Sequence, residues 1–271
     1  MTRQSKIEKM SSSEWRDVLW GIHPGLYRKR RLFKVIPSEP RCKFCNAPFH
    51  GIGGMLMSMI GRKQYSKNPL FCEACLTDPV EGVEVEITML FADVRGSTTL
   101  AEKMSASEFG GLMNRFYDTA SHILVGSLAI IDKFVGDEVI ALYIPGLAGA
   151  DHAKKAILAA EELLQATGHN DNRPWLPIGV GIHTGNAYVS LVGSEGGVGD
   201  LTALGDSMNI TARLASQAGA GEILVSESAY NRAALQANVE KRTLALKGRS
   251  EPVNVHVLKI PHRDILQHQS E

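Results

Sequence analysis

The sequence predicts an α+β protein preceded by a small cysteine-rich module. Three observations carry that reading. From Val83 to Phe91 apolar residues alternate with Glu84, Glu86 and Thr88, which is the spacing of a strand with one polar face. Strand-like and helix-like stretches then alternate along the rest of the chain. All four cysteines fall in two Cys-x-x-Cys pairs, Cys42/Cys45 and Cys72/Cys75, ahead of the first strand.

The 271 residues suffice for one large domain plus a small module. Net charge is zero, but residues 1–79 carry 14 Lys/Arg against 6 Asp/Glu, and residues 80–271 carry 15 against 23. The shift near Asp78-Pro79 is taken as a boundary. Met1 to Arg16 is too polar for a secretory signal, and the apolar run Gly51–Gly61 is too short to span a bilayer. The expectation is a cytoplasmic protein without a membrane span, its cysteines reduced.

Ser11 and Glu14 form a capping box for a short helix whose apolar face is Trp15, Val18 and Leu19. A basic strip, Tyr27-Arg28-Lys29-Arg30-Arg31, follows. Such a strip can meet nucleic acid or an acidic membrane surface, but it is more often a solvated face or a contact to an acidic neighbouring domain; base-stacking aromatics are not interleaved through a wider basic surface, so nucleic acid is not expected. Four thiolates suit one structural, tetrahedral Zn²⁺ in a zinc-ribbon-like module over residues 1–79; an iron–sulfur or redox role, or unligated thiols, are the alternatives. The 26-residue spacer is longer than usual for a ribbon. His50 reads as a loop histidine, since four cysteines complete the set.

The first strand ends at Asp93. Gly96-Ser97-Thr98 turns into a helix, and Ser105 with Glu108 caps another that reaches about Val125. Leu128–Phe134 is the second strand, Val135-Gly136-Asp137-Glu138 a hairpin turn, and Val139–Ile144 the returning strand. Ala148–Gly168 is an alanine-rich helix. Ile178–His183 and Ala187–Val192 read as two strands around Thr184-Gly185. Asp206–Ala218 is helical, and Ile223–Val225, a helix and two strands complete the domain. The order β-α-β-β-α-β is ferredoxin-like: a sheet with helices on one face, here with extra C-terminal strands.

Asp93 and Asp137 then sit at neighbouring strand tips. Carboxylates so placed can share a pair of divalent ions, Mg²⁺ or Mn²⁺, on a nucleoside triphosphate, with the Val94 carbonyl completing a metal shell. Either aspartate alone would read as a turn or cap residue; the pair, with its flanking pattern, is more specific. Gly193–Gly199 follows a strand without leading directly into a helix, which makes it a hairpin tip rather than a phosphate loop. His183 reads as a packing residue.

Three separated stretches carry a resemblance: FADVRGST from Phe91, KFVGDEVIA from Lys133, and TALGDSMNITARL from Thr202. Over about residues 85–258 the chain resembles the class III nucleotidyl cyclase catalytic domain. The resemblance implies that Asp93 and Asp137 bind the metals, Asn209 positions the ribose, and Arg213 stabilises charge on the α-phosphate. It further implies that Lys133 and Thr202 read the base, as in the bacterial subgroup with a Lys/Thr pair, and that Lys247 binds the triphosphate. On that reading residues 80–260 are the catalytic domain and 261–271 a polar tail.

In this family two catalytic domains share their sites head to tail. The resemblance therefore implies a homodimer with two active sites, each holding two metal ions and one ATP, and an N-terminal module placed to regulate it. The reaction implied is attack of the ribose 3′-oxygen on the α-phosphorus, giving 3′,5′-cyclic AMP and pyrophosphate. The alternatives are a cyclase for GTP or a pyrimidine nucleotide, a non-catalytic nucleotide sensor, and a zinc-dependent nucleic-acid-binding regulator. A diguanylate cyclase fits less well, since Val135 breaks its GGDEF signature and Asn209/Arg213 have no place there.

Overall fold

A computed structural model describes residues 11–65, 69–76, 82–171, 174–192, 200–246 and 251–260. The Asp78-Pro79 boundary, the Gly193–Gly199 loop, Lys247 and the 261–271 tail lie outside the described residues. The chain divides into two compact units, Met1–Val85 with Tyr188–Ala203, and Glu86–Ala187 with Leu204–Glu271.

The first unit opens with α1 (Ser12–Trp20), closed at its N-terminus by the Ser11/Glu14 capping box and burying Trp15, Val18 and Leu19. The basic strip is helical: Pro24, at the first position of α2 (Pro24–Lys34), fixes the helical φ, and Leu26 and Phe33 are buried. Arg30 ties α2 to the first cysteine turn, donating to the carbonyls of Phe44 at 2.8 Å and Lys43 at 2.9 Å. Gly51 (φ 63°) starts α3 (Gly51–Met59), and α4 (Glu73–Leu76) carries Cys75.

The sheet strands are β1 (Val83–Val94), β2 (Ile130–Val135), β3 (Glu138–Tyr143), β4 (Ile178–Val192), β5 (Asp200–Leu204), β6 (Glu222–Ser226), β7 (Glu240–Leu244) and β8 (Val253–Lys259). Their order is β2-β3-β1-β4-β6-β8-β7, with β5 beside β4. The β2-β3-β1-β4 half is the ferredoxin-like order expected, and β6 joins β4 in parallel. The helices are α5 (Ser97–Lys103), α6 (Ala106–Gly126), α7 (Pro145–Ala148), α8 (His152–Ala166), α9 (Asp206–Gln217) and α10 (Glu227–Arg232).

In the second unit, α6, α8 and α10 share one core with Leu90, Ala92, Val139, Ala141, Tyr143, Val180 and Val225. The helix α9 is the exception to a single covered face. Its Ile210, Leu214 and Ala218 pack with Leu224, Val255 and Val257, whose chain neighbours Val225 and Leu258 belong to the other core. Alternate residues of a strand face opposite ways, so α9 lies on the opposite side of β6 and β8.

Three local expectations change. The alanine-rich helix is broken at Gly149 (φ 81°) into α7 and α8. Polar alternation in β1 stops after Glu86, because the strand is central: Thr88 is buried, with its hydroxyl 2.7 Å from both His152 Nδ1 and Thr184 Oγ1. The two strands read around Thr184-Gly185 are one continuous β4. Gly185 makes no turn; a Cβ there would sit 2.7 Å from Ser207 Oγ, so it is small to admit α9.

Candidate active site

The end of β1 and the β2–β3 turn build one acidic corner. Asp93 lies directly opposite Glu138 in the antiparallel register, and the Val94 amide donates to the Asp137 carbonyl at 3.2 Å. Gly136 supplies the left-handed φ of 61° that the turn requires. Tyr117 of α6 clamps the turn: its hydroxyl donates to the Gly136 carbonyl and its ring packs on Phe134 at 4.7 Å. Backbone pairing thus holds the turn without drawing on the carboxylates.

Asp93 and Asp137 are near enough for their charges to interact. Burial pushes the Asp93 carboxyl up; the Arg95 guanidinium opposes this and the Asp137 charge adds to it. Burial, with Asp93 and Asp137 beside it, pushes Glu138 up to about 7. Like charges at this corner disfavour ionisation of Asp93 and Glu138, and a cation would relieve that repulsion. Arg95 supplies one positive charge, ion-paired to Asp93 while donating to the Ser216 carbonyl at 2.8 Å. The donor chemistry, hard oxygens from Asp93 and Asp137, fits a divalent ion such as Mg²⁺ or Mn²⁺. The Val94 carbonyl is at the same strand end.

Lys133 stands on β2 beside a register shift between Ile131 and Lys133. Its half-exposed ammonium is 3.5 Å from the Asp132 carboxylate, whose side chain is buried. A bulge of this kind re-aims a side chain. Asn209 and Arg213 lie one turn apart on α9, exposed and half-buried respectively. Among the described residues no hydrogen bond or ion pair joins Lys133, Asn209 or Arg213 to Asp93 or Asp137. Thr202 is buried on β5, in the first unit, and Lys247 lies outside the described residues. His183 Nδ1 is bonded to Ser226 Oγ at 2.9 Å, consistent with packing. Arg95, Glu138 and Tyr117 were not singled out in the sequence, although the first two stand inside the FADVRGST and KFVGDEVIA stretches.

The second cluster is the four cysteines. Their sulfurs all lie within 4.8 Å of one another, with Cys42–Cys75 at 3.9 Å and Cys45–Cys72 at 3.7 Å. A tetrahedron of Zn–S bonds near 2.3 Å has edges of about 3.8 Å, so the donor set fits Zn²⁺. The cysteines are unpaired as disulfides. Hydrogen bonds from Cys42 and its neighbours hold the Cys45 thiol well below its usual range. Arg62 donates to Cys45 Sγ at 3.3 Å, and the Cys72 amide to Cys42 Sγ at 3.4 Å. Such donors stabilise thiolate in a metal's outer shell. His50 is exposed and stands outside the cluster.

Residues 81–259 match the profile of the adenylate and guanylate cyclase catalytic domain. The chain belongs to this family. Among relatives of the cyclase domain, an adenylate cyclase of Anabaena cylindrica is 27% identical over 202 residues, 66% of this chain and 39% of the relative. Adenylate cyclase 1 of Rhizobium meliloti is 33% identical over 135 residues, 48% of this chain and 20% of the relative. The chain thus spans well under half the length of these curated relatives. Among solved cyclase structures, the guanylyl cyclase Cya2 superposes with a TM-score of 0.61 at 26% identity, covering 68% of this chain and 98% of that one. The adenylyl cyclase CyaB from P. aeruginosa superposes with a TM-score of 0.57 at 30% identity, with the same coverage. Among the described residues no helix is long and apolar enough to cross a membrane.

Proposed function

We propose that this chain is an adenylate cyclase, converting ATP to 3′,5′-cyclic AMP and pyrophosphate at a site shared by two copies. The observation that carries this is that backbone pairing sets Asp93, at the end of β1, beside the β2–β3 turn that holds Asp137. Asp93, Asp137 and the Val94 carbonyl are the residues that would hold two Mg²⁺ or Mn²⁺ ions. Such ions lower the pKa of a ribose 3′-hydroxyl and screen a triphosphate.

The chain's own groups do the rest. Asn209 orients the ribose so that the 3′-oxygen lies in line with the α-phosphorus. A bond forms between them, and the bond from that phosphorus to the pyrophosphate oxygen breaks. Arg213, one helical turn away, faces the charge that accumulates on the α-phosphate. Lys133 and Thr202 recognise the adenine, and Lys247 the terminal phosphates.

Membership of a family whose catalytic domains work as dimers supports a head-to-tail homodimer, in which one copy would bring the metal-binding aspartates and the other the ribose and transition-state groups. The four cysteines hold one structural Zn²⁺, in a cytoplasmic protein. The names of the curated relatives support ATP over GTP. The test is product identification by mass spectrometry after incubation with ATP, GTP, CTP or UTP and Mg²⁺ or Mn²⁺. Cyclic AMP from ATP, absent with Asp93→Ala, is expected. A different cyclic nucleotide would overturn the base assignment of Lys133 and Thr202, and no product from a dimeric protein would overturn the activity.

A further inference from the structure

The helix α3 is inside out. Its inner side is Gly53, Gly54 and Met57, all buried. A Cβ on Gly53 would lie 2.5 Å from the Pro37 carbonyl oxygen and 2.7 Å from Ile36 Cγ2, so the helix sits flush on the preceding loop. Its outer side is Ile52, Met55, Leu56, Met59 and, at the C-cap, Ile60, each between 52% and 79% exposed. The spacing i, i+3, i+4, i+7, i+8 places all five on one stripe. Within the segment Gly51–Met59 there is no charged residue. Folding of the cysteine module does not explain the stripe, because the glycines make the contact with it. An apolar stripe of this kind marks an interaction surface.

The charges of the same unit indicate what covers it. On α2 the exposed Tyr27 and Leu32, with Val35 at the C-cap, are interleaved with exposed Arg28, Lys29, Arg31 and Lys34. Lys43 of the first cysteine turn and Lys63, just beyond α3, are exposed as well. Residues 1–79 carry 14 Lys/Arg against 6 Asp/Glu. A second copy of this face would bring like charges together. Five side chains on a short helix also fall below the roughly 800 Å² per partner that a stable protein interface buries. An anionic lipid surface matches both features: large unbranched and branched apolar groups enter the acyl boundary, and long basic side chains remain at the headgroups.

We propose that α3 and the basic face of α2 form a peripheral docking surface for an anionic membrane leaflet, Ile52, Met55, Leu56, Met59 and Ile60 being the inserted groups. The inference is independent of the cyclase reading, since it concerns residues that reading does not use.

The experiment is flotation of the full-length, zinc-loaded protein with vesicles of phosphatidylcholine alone or mixed with phosphatidylserine. The protein is expected to float with the mixed vesicles and to partition at least about tenfold more weakly onto phosphatidylcholine alone. The triple variant Ile52→Ser, Met55→Ser, Met59→Ser keeps its zinc and loses binding by about tenfold or more. Arg28→Glu with Lys29→Glu, on a different helix, weakens binding without touching α3. Failure of the wild type to float with phosphatidylserine vesicles overturns the proposal, as does unchanged flotation of both variants. So does a triple variant that changes from dimer to monomer in light scattering while the wild type ignores lipid; that result would make the stripe a protein interface.

Discussion

Arg95 is ion-paired with Asp93, two residues before it, and the same guanidinium donates to the Ser216 carbonyl near the end of α9. Its own amide is fixed by the Pro177 carbonyl at 2.7 Å. The side chain therefore links the acidic corner to the helix bearing Asn209 and Arg213, and it would compete with any cation for Asp93. Replacing Arg95 with Ala is expected to tighten Mn²⁺ binding about three- to tenfold, the equivalent of roughly 1 kcal/mol for a partly buried pair. Mn²⁺ titration followed by electron paramagnetic resonance measures this. Unchanged or weaker binding would show that the guanidinium helps to build the site instead.

The close approach of β4 and α9 rests on glycines. A Cβ on Gly181 would meet the Ala215 amide nitrogen at 2.3 Å and the Thr211 carbonyl at 2.7 Å, both backbone atoms. Gly181→Ala should destabilise the protein by about 2 kcal/mol or more and push α9 outward, lowering turnover as well. Gly110→Ala, in the second turn of α6 with open space around its Cβ, should stabilise by about 0.5–1 kcal/mol. Urea midpoints of the two variants must therefore move in opposite directions.

His152 gives a pH signature. Burial first, and the Arg232 cation second, hold its pKa down at about 4. The neutral ring is bonded to Thr88 within the core. A histidine whose folded pKa lies below its unfolded value, about 6.5, stabilises the protein fully above the unfolded value. That stability is lost as pH falls towards and through the folded pKa. Thermal unfolding should show on the order of 2–3 kcal/mol of this loss between about pH 6.5 and 4. In His152→Asn the loss over that window should shrink; an unchanged profile would assign it to other groups.

Much of the fold was legible because local signals agreed with tertiary ones. Ser11 with Glu14 and Ser105 with Glu108 mark helix starts in the sequence, and both capping boxes form. The neighbouring positions of Asp93 and the Asp137 turn were legible because each follows an apolar strand run. What was not legible depends on contacts between distant segments. Gly185 looks like a turn glycine, yet its role is to admit Ser207. The placement of α9 on the second face is decided by Gly179 and Gly181, which no period in the sequence reveals. Arg95 has no local signal, since its partner Ser216 is 121 residues away.

The cysteine cluster predicts a metal count. Purified protein should contain one zinc per chain by elemental analysis, and Cys42→Ser or Cys72→Ser should lower it to near zero. Because α2, the first cysteine turn and α4 are tied together around the sulfurs, zinc loss should also expose the segment to protease. Iron with visible absorbance in place of zinc would favour the cluster alternative.

The central claim is that one copy's Asp93 works with another copy's Arg213. Asp93→Ala and Arg213→Ala can be co-expressed with different tags, and the mixed dimer isolated by two affinity steps. Each parent homodimer is expected to be inactive. A mixed dimer has one site lacking both groups and one intact site, so it should form cyclic AMP at about half the wild-type rate. A mixed dimer as inactive as its parents, though folded and metallated, would contradict a site shared between two chains.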